Sequence, residues 1–416
     1  MKVRRQNRQV LFAGISAAVI LAVAAALVLI RGSARTAFAA TSLNLVYVES
    51  NISGANGTCT ANCNSVFGFS NDGLGNLTAL PGSPYVTSGA GVFWNRTQSD
   101  ALIDADQELI INPEGTLLLA VNAHTNTFAE FTINSDGSLT AVSGSPFASN
   151  GQEPISLGWA NNVLTGNVSM LVVVNKNSDP LQTGGVPNYT TFRVSSSGVV
   201  TKNPTGSTYN LAAGVSPAQA LMPHAGRRFI GVEFVTSDVA MYQFSTAGVI
   251  SQLSTSTPPG ATAVLGAVLH PNLGMFYVAE PTQAKVDAYA INPTTGVLGF
   301  KGQATNEGMA PCWQAVNSAG TRLYTAQTPS GTLTVYDITN AIAPKQLQYL
   351  SVTGTGALPT NLALDPTGSF LYVVDRNQVL HVINVLSDGT LSETITPVTL
   401  SMPSGETPVG LAVLSK

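Results

Sequence analysis

The segment Phe276–Leu298, FYVAEPTQAKVDAYAINPTTGVL, contains two apolar runs separated by a short polar turn. The first run is apolar and rich in aromatic residues, and the second alternates apolar and polar side chains. Alternation together with β-branched and aromatic residues is the pattern of half-buried strands. The Pro- and Gly-bearing stretches that follow each run are typical of tight turns. The segment is therefore expected to form a β-hairpin, which alone would be only marginally stable in water.

The same hairpin pattern recurs along the chain at a fixed period. On the first strand of each copy, equivalent tyrosines lie 47 and 48 residues apart, at Tyr277, Tyr324 and Tyr372. On the second strand the interval is 47 residues, as between Tyr289 and Tyr336. A period of this size, built only from short strands, is typical of β-propeller blades.

Prolines introduce a further strand in most repeats. Five of them precede an apolar strand at the matching place, namely Pro154, Pro217, Pro311, Pro359 and Pro408. Proline is best tolerated at the first residue of a strand, where its missing N–H is least needed. Each repeat is therefore expected to supply four strands, of which the strand after the proline is innermost.

The two ends of the chain are complementary. The last innermost strand, Val409–Leu414, has no further strands after it, and the first strand, Leu43–Val48, has no innermost strand before it. Pairing them would complete a mixed blade and remove two exposed sheet edges. With seven units, the sequence predicts an all-β, seven-bladed β-propeller over residues 41–416, closed by its N- and C-terminal strands.

Residues 1–40 have the layout of a targeting segment. Basic residues precede an apolar run over residues 10–30, and Ala37-Phe38-Ala39 offers a small-x-small cleavage pattern. An uncleaved run of this length could instead span a bilayer as a helical anchor. Either reading places the propeller outside the cytoplasm, whether periplasmic, secreted or anchored facing outward, with residues 10–30 as its membrane contact.

The charge pattern argues against nucleic-acid binding. Beyond residue 40 the chain has 12 basic and 22 acidic residues, and the basic ones are scattered rather than gathered in a stripe.

The sequence has no Gly-rich phosphate loop and no Gly-x-Ser-x-Gly elbow, and it lacks the tryptophan-docking repeats of quinoprotein propellers. We therefore expect no cofactor and no metal site, and we expect a monomer.

Two further features are local. Cys59 and Cys63 lie four residues apart in a polar insertion, where an oxidising compartment would favour a disulfide, with free thiols as the alternative.

The insertion over residues 87–112 carries four acidic residues just before an inner strand: Asp100, Asp104, Asp106 and Glu108. We interpret them as a solvated acidic loop, with a Ca²⁺ site as the alternative, because hard cations take several oxygen ligands.

Several phrases of the chain resemble a known family. They are FLYVVDRNQVLHVI, which begins at Phe370, the proline lead-in that ends in Pro-x-Gly, and hairpins that close on Ser-Asp-Gly. They are similar to the seven-bladed lactonase propellers, which include 6-phosphogluconolactonases and fungal muconate-lactonising enzymes. YVTN-type surface propellers, which are not known as enzymes, share the same phrases. The resemblance covers residues 41–416, and it implies the fold more directly than the activity.

The lactonase resemblance implies a His, Arg and Glu set at one mouth of the central channel. LHPNLGMFYVAEPTQ places His270 and Glu280 at matching positions. The expected Arg is replaced by Leu265, and Gln219 is the only large polar residue in the strand where the His is expected. Arg376 stands at the kind of place where a second family Arg occurs, but one unit later.

The resulting candidates are few. The catalytic candidates are Glu280, Arg376 and His270. The candidates for substrate binding are Gln219 and Trp313, whose ring follows Pro311 and could stack on a sugar. Each has a structural alternative: Glu280 as a solvated turn residue, Arg376 as a partner of Asp375 or of a neighbouring blade, and His270 as a turn cap or packed side chain.

Two hypotheses about function remain open. One is an exported lactonase-like hydrolase, a carboxylic ester hydrolase of the 6-phosphogluconolactonase type, acting on a lactone such as a sugar lactone at the channel. The other is a non-catalytic envelope or extracellular propeller that binds a glycan or a protein. The retained Glu280 and Arg376 favour the first hypothesis, and the missing Arg and His favour the second.

Overall fold

The structure, a computed structural model, describes residues 43–94, 98–99, 103–202, 207–223 and 226–416. The predicted signal or anchor segment, residues 1–40, lies outside these ranges, as does Asp100. Within the described ranges, no helix has the length and hydropathy to span a lipid bilayer. The helical residues described are two short 3₁₀ turns, Ala55–Gly57 and Pro281–Gln283.

The described chain folds into seven antiparallel sheets, which are the blades of a propeller. In blades 1 to 3 the strands are β1 (Asn44–Asn51), β2 (Ser65–Asn71), β3 (Leu77–Ala79), β4 (Tyr85–Val86), β5 (Leu109–Ile111), β6 (Leu117–Asn122), β7 (Thr127–Ile133), β8 (Leu139–Ala141), β9 (Phe147–Ala148), β10 (Pro154–Leu164), β11 (Val168–Asn175), β12 (Asn188–Val194), β13 (Val200–Lys202) and β14 (Thr208–Asn210). In blades 4 and 5 they are β15 (Pro217–Leu221), β16 (Arg228–Glu233), β17 (Asp238–Phe244), β18 (Ile250–Ser256), β19 (Leu265–Leu269), β20 (Met275–Glu280), β21 (Lys285–Ile291) and β22 (Leu298–Thr305). In blades 6 and 7 they are β23 (Pro311–Val316), β24 (Arg322–Gln327), β25 (Thr332–Asp337), β26 (Lys345–Ser351), β27 (Pro359–Leu364), β28 (Phe370–Asp375), β29 (Val379–Val385), β30 (Leu391–Ser392) and β31 (Val398–Thr399), and the final strand β32 (Thr407–Ser415) returns to blade 1.

Blade 1 is closed by the two ends of the chain, as predicted. Strand β32 pairs with β1 in an antiparallel ladder in which Leu45 faces Leu414 and Tyr47 faces Ala412. The innermost strands of neighbouring blades contact one another around the whole ring, including β32 against both β27 and β5. Closure therefore leaves no open end in the ring of inner strands.

The outer strand differs from the expectation of four simple strands in every blade. In blades 1, 2, 3 and 7 it is split into two short strands, both of which pair with the third strand of the blade. In blades 4, 5 and 6 it is a single strand.

The tyrosines that define the sequence period join adjacent blades. The Tyr277 hydroxyl donates a hydrogen bond to the Ala341 carbonyl at 3.0 Å, and the Tyr324 hydroxyl donates one to the Gly389 carbonyl at 3.0 Å. Tyr47 follows the same rule. Since a buried hydroxyl needs a partner, these three repeats place the tyrosine where the next blade offers a turn carbonyl, whereas the Tyr372 hydroxyl accepts a hydrogen bond from the Asn71 side chain of blade 1.

Candidate active site in the central channel

Residues 103–107, which we call the cap, enter the mouth of the channel at the starting ends of the inner strands. The Asp106 amide donates to the Ala218 carbonyl at 3.2 Å, and the Leu157 amide donates to the Gln107 carbonyl at 3.0 Å. Ala105 is buried in the core formed by blades 3 and 4. The expectation of a solvated acidic loop is therefore wrong, because the segment turns inward and is paired with the inner strands.

Asp104 of the cap binds the two buried cations that the structure describes at the channel mouth. Its carboxylate forms an ion pair with the Arg376 guanidinium from blade 7, and its backbone carbonyl accepts a hydrogen bond from Lys176 Nζ of blade 3 at 2.6 Å. The guanidinium also lies over the Trp94 ring, 5.1 Å from its centroid. The partner suggested for Arg376 on blade 7, Asp375, instead accepts hydrogen bonds from neighbouring backbone amides.

Trp313 lies against the cap rather than on an open channel wall. Its indole N–H donates to the Ala105 carbonyl at 2.6 Å, and only 2% of the residue is exposed. The residue is thus at the mouth, as its place after Pro311 indicates, but its exposed area is too small for a sugar to stack on in this conformation.

Gln219 links the cap to blades 4 and 5. Its side-chain amide nitrogen donates to the Ala267 carbonyl at 2.9 Å and to Gln107 Oε1 at 3.0 Å, and its Oε1 accepts from the Ala267 amide at 2.6 Å. A carboxylate oxygen of Asp106 lies 3.4 Å from the same nitrogen. Gln219 therefore fixes the position of the cap within the channel.

A second carboxyl group, that of Glu108, lies where the cap joins strand β5. Asn361 of blade 7 donates from Nδ2 to Glu108 Oε2 at 3.2 Å and to the Val409 carbonyl at 3.1 Å. Glu108 is 1% exposed, whereas Asp106 and Gln107 are only half-buried. The channel thus holds two neighbouring carboxyl groups, one enclosed and one partly accessible.

Burial changes the protonation of these groups. Desolvation raises the pKa of Asp106 to about 7, although the Gln107 amide opposes the shift. The pKa of Glu108 is raised well above its usual value by burial and by the negative charge of Asp106. Burial likewise raises the pKa of Glu153 to about 7 and lowers the pKa of Lys176. Two adjacent carboxyls with different environments can serve as a proton acceptor and a proton donor near neutral pH.

Glu280 has its contacts within blade 5. The residue is fully buried, and its carboxyl group lies beside that of Asp287 on the adjacent strand β21. Burial and, after it, the neighbouring Glu280 raise the pKa of Asp287 to about 9. None of the four oxygens of this pair has a hydrogen-bond partner among the described residues. The solvated-turn reading of Glu280 is therefore wrong, although Pro281 after it reaches the channel mouth.

His270 lies at the other end of the inner strand from Leu265. It is buried, with Nε2 at 3.1 Å from the Gly320 carbonyl, and its Nδ1 accepts a hydrogen bond from the Asn272 amide at 3.2 Å. Of the five candidates, the structure brings together Arg376, Trp313 and Gln219 through the cap, and it places Glu280 and His270 in separate surroundings.

A cleft of about 430 Å³ adjoins the cap at the channel mouth. Its described lining is largely apolar and small, with one ionisable carboxylate: Ser99, Asp104, Phe234, Pro281, Thr282, Ala310, Cys312, Thr328 and Pro329. The cleft is open enough to admit a small molecule next to Asp104.

No group of His, Cys, Asp and Glu side chains within the described ranges has an arrangement that could hold a metal ion. The three described acidic residues of the predicted Ca²⁺ segment instead contact protein groups, as given above for Asp104, Asp106 and Glu108. Elsewhere, Cys59 and Cys63 are joined by a disulfide, and Cys312 is buried with its thiol 3.2 Å from the Ala310 carbonyl.

Lys176 and His381 are two of the buried ionisable groups that the sequence did not indicate. Lys176 is 1% exposed, and the unusual signal available was a lysine that directly follows the apolar run of strand β11. His381 is also buried, with Nδ1 2.7 Å from Glu393 Oε1. Desolvation opposes its charged form, but Asp375 and Glu393 outweigh it and raise the pKa of His381. His381 stands alone in its strand, without another His, Cys or acidic residue at a spacing that would indicate a site.

The comparisons with known proteins agree with this architecture. The family described as lactonase, 7-bladed beta-propeller, matches residues 235–408. No curated protein matches the chain. Among solved structures, the periplasmic gluconolactonase of Pseudomonas aeruginosa is similar at 16% identity and a TM-score of 0.68, over 90% of this chain and 99% of that chain.

A provisionally assigned 6-phosphogluconolactonase of Bacteroides fragilis is similar at 13% identity and a TM-score of 0.66, over 91% of this chain and all of that one. A provisionally assigned 6-phosphogluconolactonase of Bacteroides uniformis is similar at 14% identity and a TM-score of 0.67, over 90% of this chain and all of that one. At these identities the structural likeness establishes the fold alone. Together with the match over residues 235–408, it confirms that this chain is a seven-bladed β-propeller that resembles the lactonase family.

Proposed function

We propose that the protein hydrolyses a lactone in the central channel, with Asp106 and Glu108 as the reacting carboxyl groups. The observation that carries this proposal is their placement side by side in the channel, held by the amides of Gln219 and Asn361. Asp106 is partly accessible, whereas Glu108 is enclosed. The likeness to lactonase propellers supports the reaction class, and the residues proposed come from the geometry of this chain.

In the proposed reaction, the ionised Asp106 accepts a proton from water while the water oxygen adds to the lactone carbonyl carbon. The bond between that carbon and the ring oxygen then breaks, and protonated Glu108, which is enclosed, donates its proton to the departing ring oxygen through one bridging water. The products are a hydroxyl group and a carboxylic acid, with one water consumed. Arg376 and Trp313 act as positioning residues, because they hold the cap through Asp104 and Ala105.

The raised pKa values give this scheme a definite pH dependence. Asp106, with a pKa raised to about 7 by burial, becomes a competent base as the pH rises through that value. Burial and the negative charge of Asp106 raise the pKa of Glu108 well above its usual value, which favours the protonated form that the scheme requires. The rate is therefore expected to rise from pH 5 to pH 8 and to fall again once Glu108 ionises.

The test is acid release from a panel of sugar and aliphatic lactones, measured with a pH indicator. Asp106→Asn is expected to lower kcat/KM by about 100-fold or more, since general acid–base catalysis contributes about 10²–10⁴. Glu280→Gln is the matched comparison, because Glu280 is the carboxylate implied by the family resemblance. Loss of activity in Glu280→Gln but not in Asp106→Asn would refute the proposed residues, and no turnover of any lactone would refute the reaction.

A second candidate function is ligand binding without catalysis. It is favoured by the cap, since Trp313 and Arg376, which could meet a ligand at the mouth, already bind Ala105 and Asp104. In that case a glycan or an envelope protein would bind the propeller without being changed. Binding of a glycan on an array, together with no turnover of any lactone, would select this alternative.

We also propose that the protein is exported. The layout of residues 1–40 supports this location, and one protein of similar fold is described as periplasmic. N-terminal sequencing of the protein recovered from a cell envelope or culture fluid tests the proposal and tells a cleaved signal from an anchor. Recovery in the cytoplasm with residues 1–40 intact would refute it.

A further inference from the structure

Two cations at the channel mouth are almost completely enclosed and already have their counter-charge from the chain itself. Arg376 is 4% exposed and Lys176 is 1% exposed. Both contact a single residue of the cap, since Arg376 pairs with the Asp104 carboxylate and Lys176 donates to the Asp104 carbonyl. A guanidinium paired in this way with a carboxylate is the arrangement by which proteins commonly bind an anionic ligand.

The rings on either side hold this arrangement in place. Trp94 lies against the guanidinium at 5.1 Å, and the Phe234 ring lies 5.9 Å from Lys176 Nζ. Phe234 also lines the mouth cleft, as does Asp104. The cleft and the two cations are therefore neighbouring parts of one structure, separated by the Asp104 residue.

The other ionisable groups described near this position are acidic. Glu153 acts electrostatically on Lys176, Asp106 and Glu108 follow Asp104 along the chain, and Glu49 of strand β1 lies near Glu108. Asp104 is the one charged residue in the described lining of the cleft. An anionic ligand would therefore enter a region of carboxyl groups and would find the described cations already paired.

We propose that the Asp104 carboxylate occupies an anion-binding position of the channel, so that the site accepts uncharged lactones and rejects phosphorylated or carboxylated ones. This substrate class rests on the proposed lactone hydrolysis. Asp104 is thereby a specificity-determining residue: it supplies the negative charge that a phosphate group would otherwise bring, and it repels that group.

The proposal can be tested without any catalytic assay, by calorimetric titration with inorganic phosphate. The wild-type protein is expected to show no measurable binding at millimolar phosphate. Asp104→Asn keeps the shape of the side chain and the backbone carbonyl, and it is expected to bind phosphate at least tenfold more tightly than wild type. With the titrations run at pH 8.5, where Asp106 is ionised, Asp106→Asn is the matched control, because it removes the same charge two residues away without a described contact to Arg376; it should behave like wild type.

Arg376→Gln extends the test to the cation. Combined with Asp104→Asn, it should abolish the acquired phosphate binding. If Asp104→Asn does not fold, the wild-type protein and Arg376→Gln still test the proposal. Phosphate binding by the wild-type protein that Arg376→Gln removes would overturn it. Absence of phosphate binding by both proteins would uphold it. Equal phosphate binding by wild type and a folded Asp104→Asn would also overturn it.

Substrate discrimination provides the second arm. For a sugar lactone and its phosphorylated counterpart, kcat/KM of the wild-type protein is expected to be at least tenfold higher for the uncharged compound. Equal or better turnover of the phosphorylated compound would refute the assignment of substrate class. If neither is hydrolysed, lactone hydrolysis fails for this pair, and the phosphate titration still decides whether Asp104 fills an anion position.

Discussion

The carboxyl pair of blade 5 gives a sharp prediction for Asp287→Asn. Glu280 and Asp287 lie on adjacent strands, both are fully buried, and neither carboxyl group has a hydrogen-bond partner among the described residues. In blade 6 the same two positions hold Gln327 and Thr334, and there the threonine hydroxyl donates to the glutamine at 3.3 Å. Blade 5 thus has two acids where its neighbour has a neutral hydrogen-bonded pair.

The pH dependence of the free energy of unfolding follows from the number of protons that the carboxyl pair binds. Burial and the adjacent Glu280 raise the pKa of Asp287, so the native pair retains one proton at pH values where the unfolded chain has lost both. An acid whose native pKa is raised stabilises the fold most at low pH, and this stability is lost as the pH rises above the unfolded pKa. One extra native proton corresponds to about 1.4 kcal/mol per pH unit, or about 3 kcal/mol between pH 5 and pH 7.

Asparagine cannot bind this proton, but its amide can donate to Glu280. The free energy of unfolding in urea, measured at pH 5, 6 and 7, should therefore fall with pH by about 3 kcal/mol more in wild type than in Asp287→Asn. Thr334→Val is the control, since it should cost about 1 kcal/mol at every pH. If the free energies of unfolding of wild type and Asp287→Asn differ by the same amount at pH 5 and at pH 7, the idea that the pair shares a proton is refuted.

Three further changes test the contacts that hold the cap, the blades and the insertion. Trp313→Phe removes the donor to Ala105 and should lower the free energy of unfolding in urea by about 1–3 kcal/mol; an unchanged midpoint would argue against that hydrogen bond. Tyr324→Phe should lower it by about 1 kcal/mol, and a cost of zero would mean that the contact with the next blade is not stabilising. Replacing Cys59 and Cys63 with serine should lower the free energy of unfolding by about 2 kcal/mol, as expected for so short a disulfide loop. Reduction of the wild-type protein should lower it by the same amount. A serine variant as stable as the oxidised protein would contradict this prediction.

The architecture was predictable because it depends on positions that every repeat shares. The tyrosines at equal intervals contact the following blade, and a proline marks the inner strand in several repeats, so periodicity locates both the blade interfaces and the ring. The closure between β1 and β32 was predictable because pairing the two terminal strands removes an exposed edge from each of them. These constraints are local or repeated, and one sequence is enough to reveal them.

The candidate site was only partly predictable, because its contacts join residues that are far apart in sequence. Asp104 meets Lys176 across 72 positions and Arg376 across 272. The acidic segment itself was evident, but acidic composition favours a solvated loop, and nothing in the spacing indicates that it turns into the channel. What compensates for its burial is a pair of cations on two different blades, which no local pattern can show.

The repeat also bears on how Glu280 should be interpreted. Counting by the same period, the last residue of the second strand is polar and buried in blade after blade, and in most cases it bonds to the third strand or to a nearby turn: Asn122, Asn175, Glu233, Glu280, Gln327 and Asp375. A polar residue at this position is therefore accounted for by blade structure before any chemistry is invoked. Asp106 and Glu108 also stand at positions of the repeat, since Asp106 matches Pro217 and Pro359, but no other inner strand described has a carboxyl group at either position. Residues that the repeat does not require are the better candidates for function, and this is the reason for placing the reaction at Asp106 and Glu108.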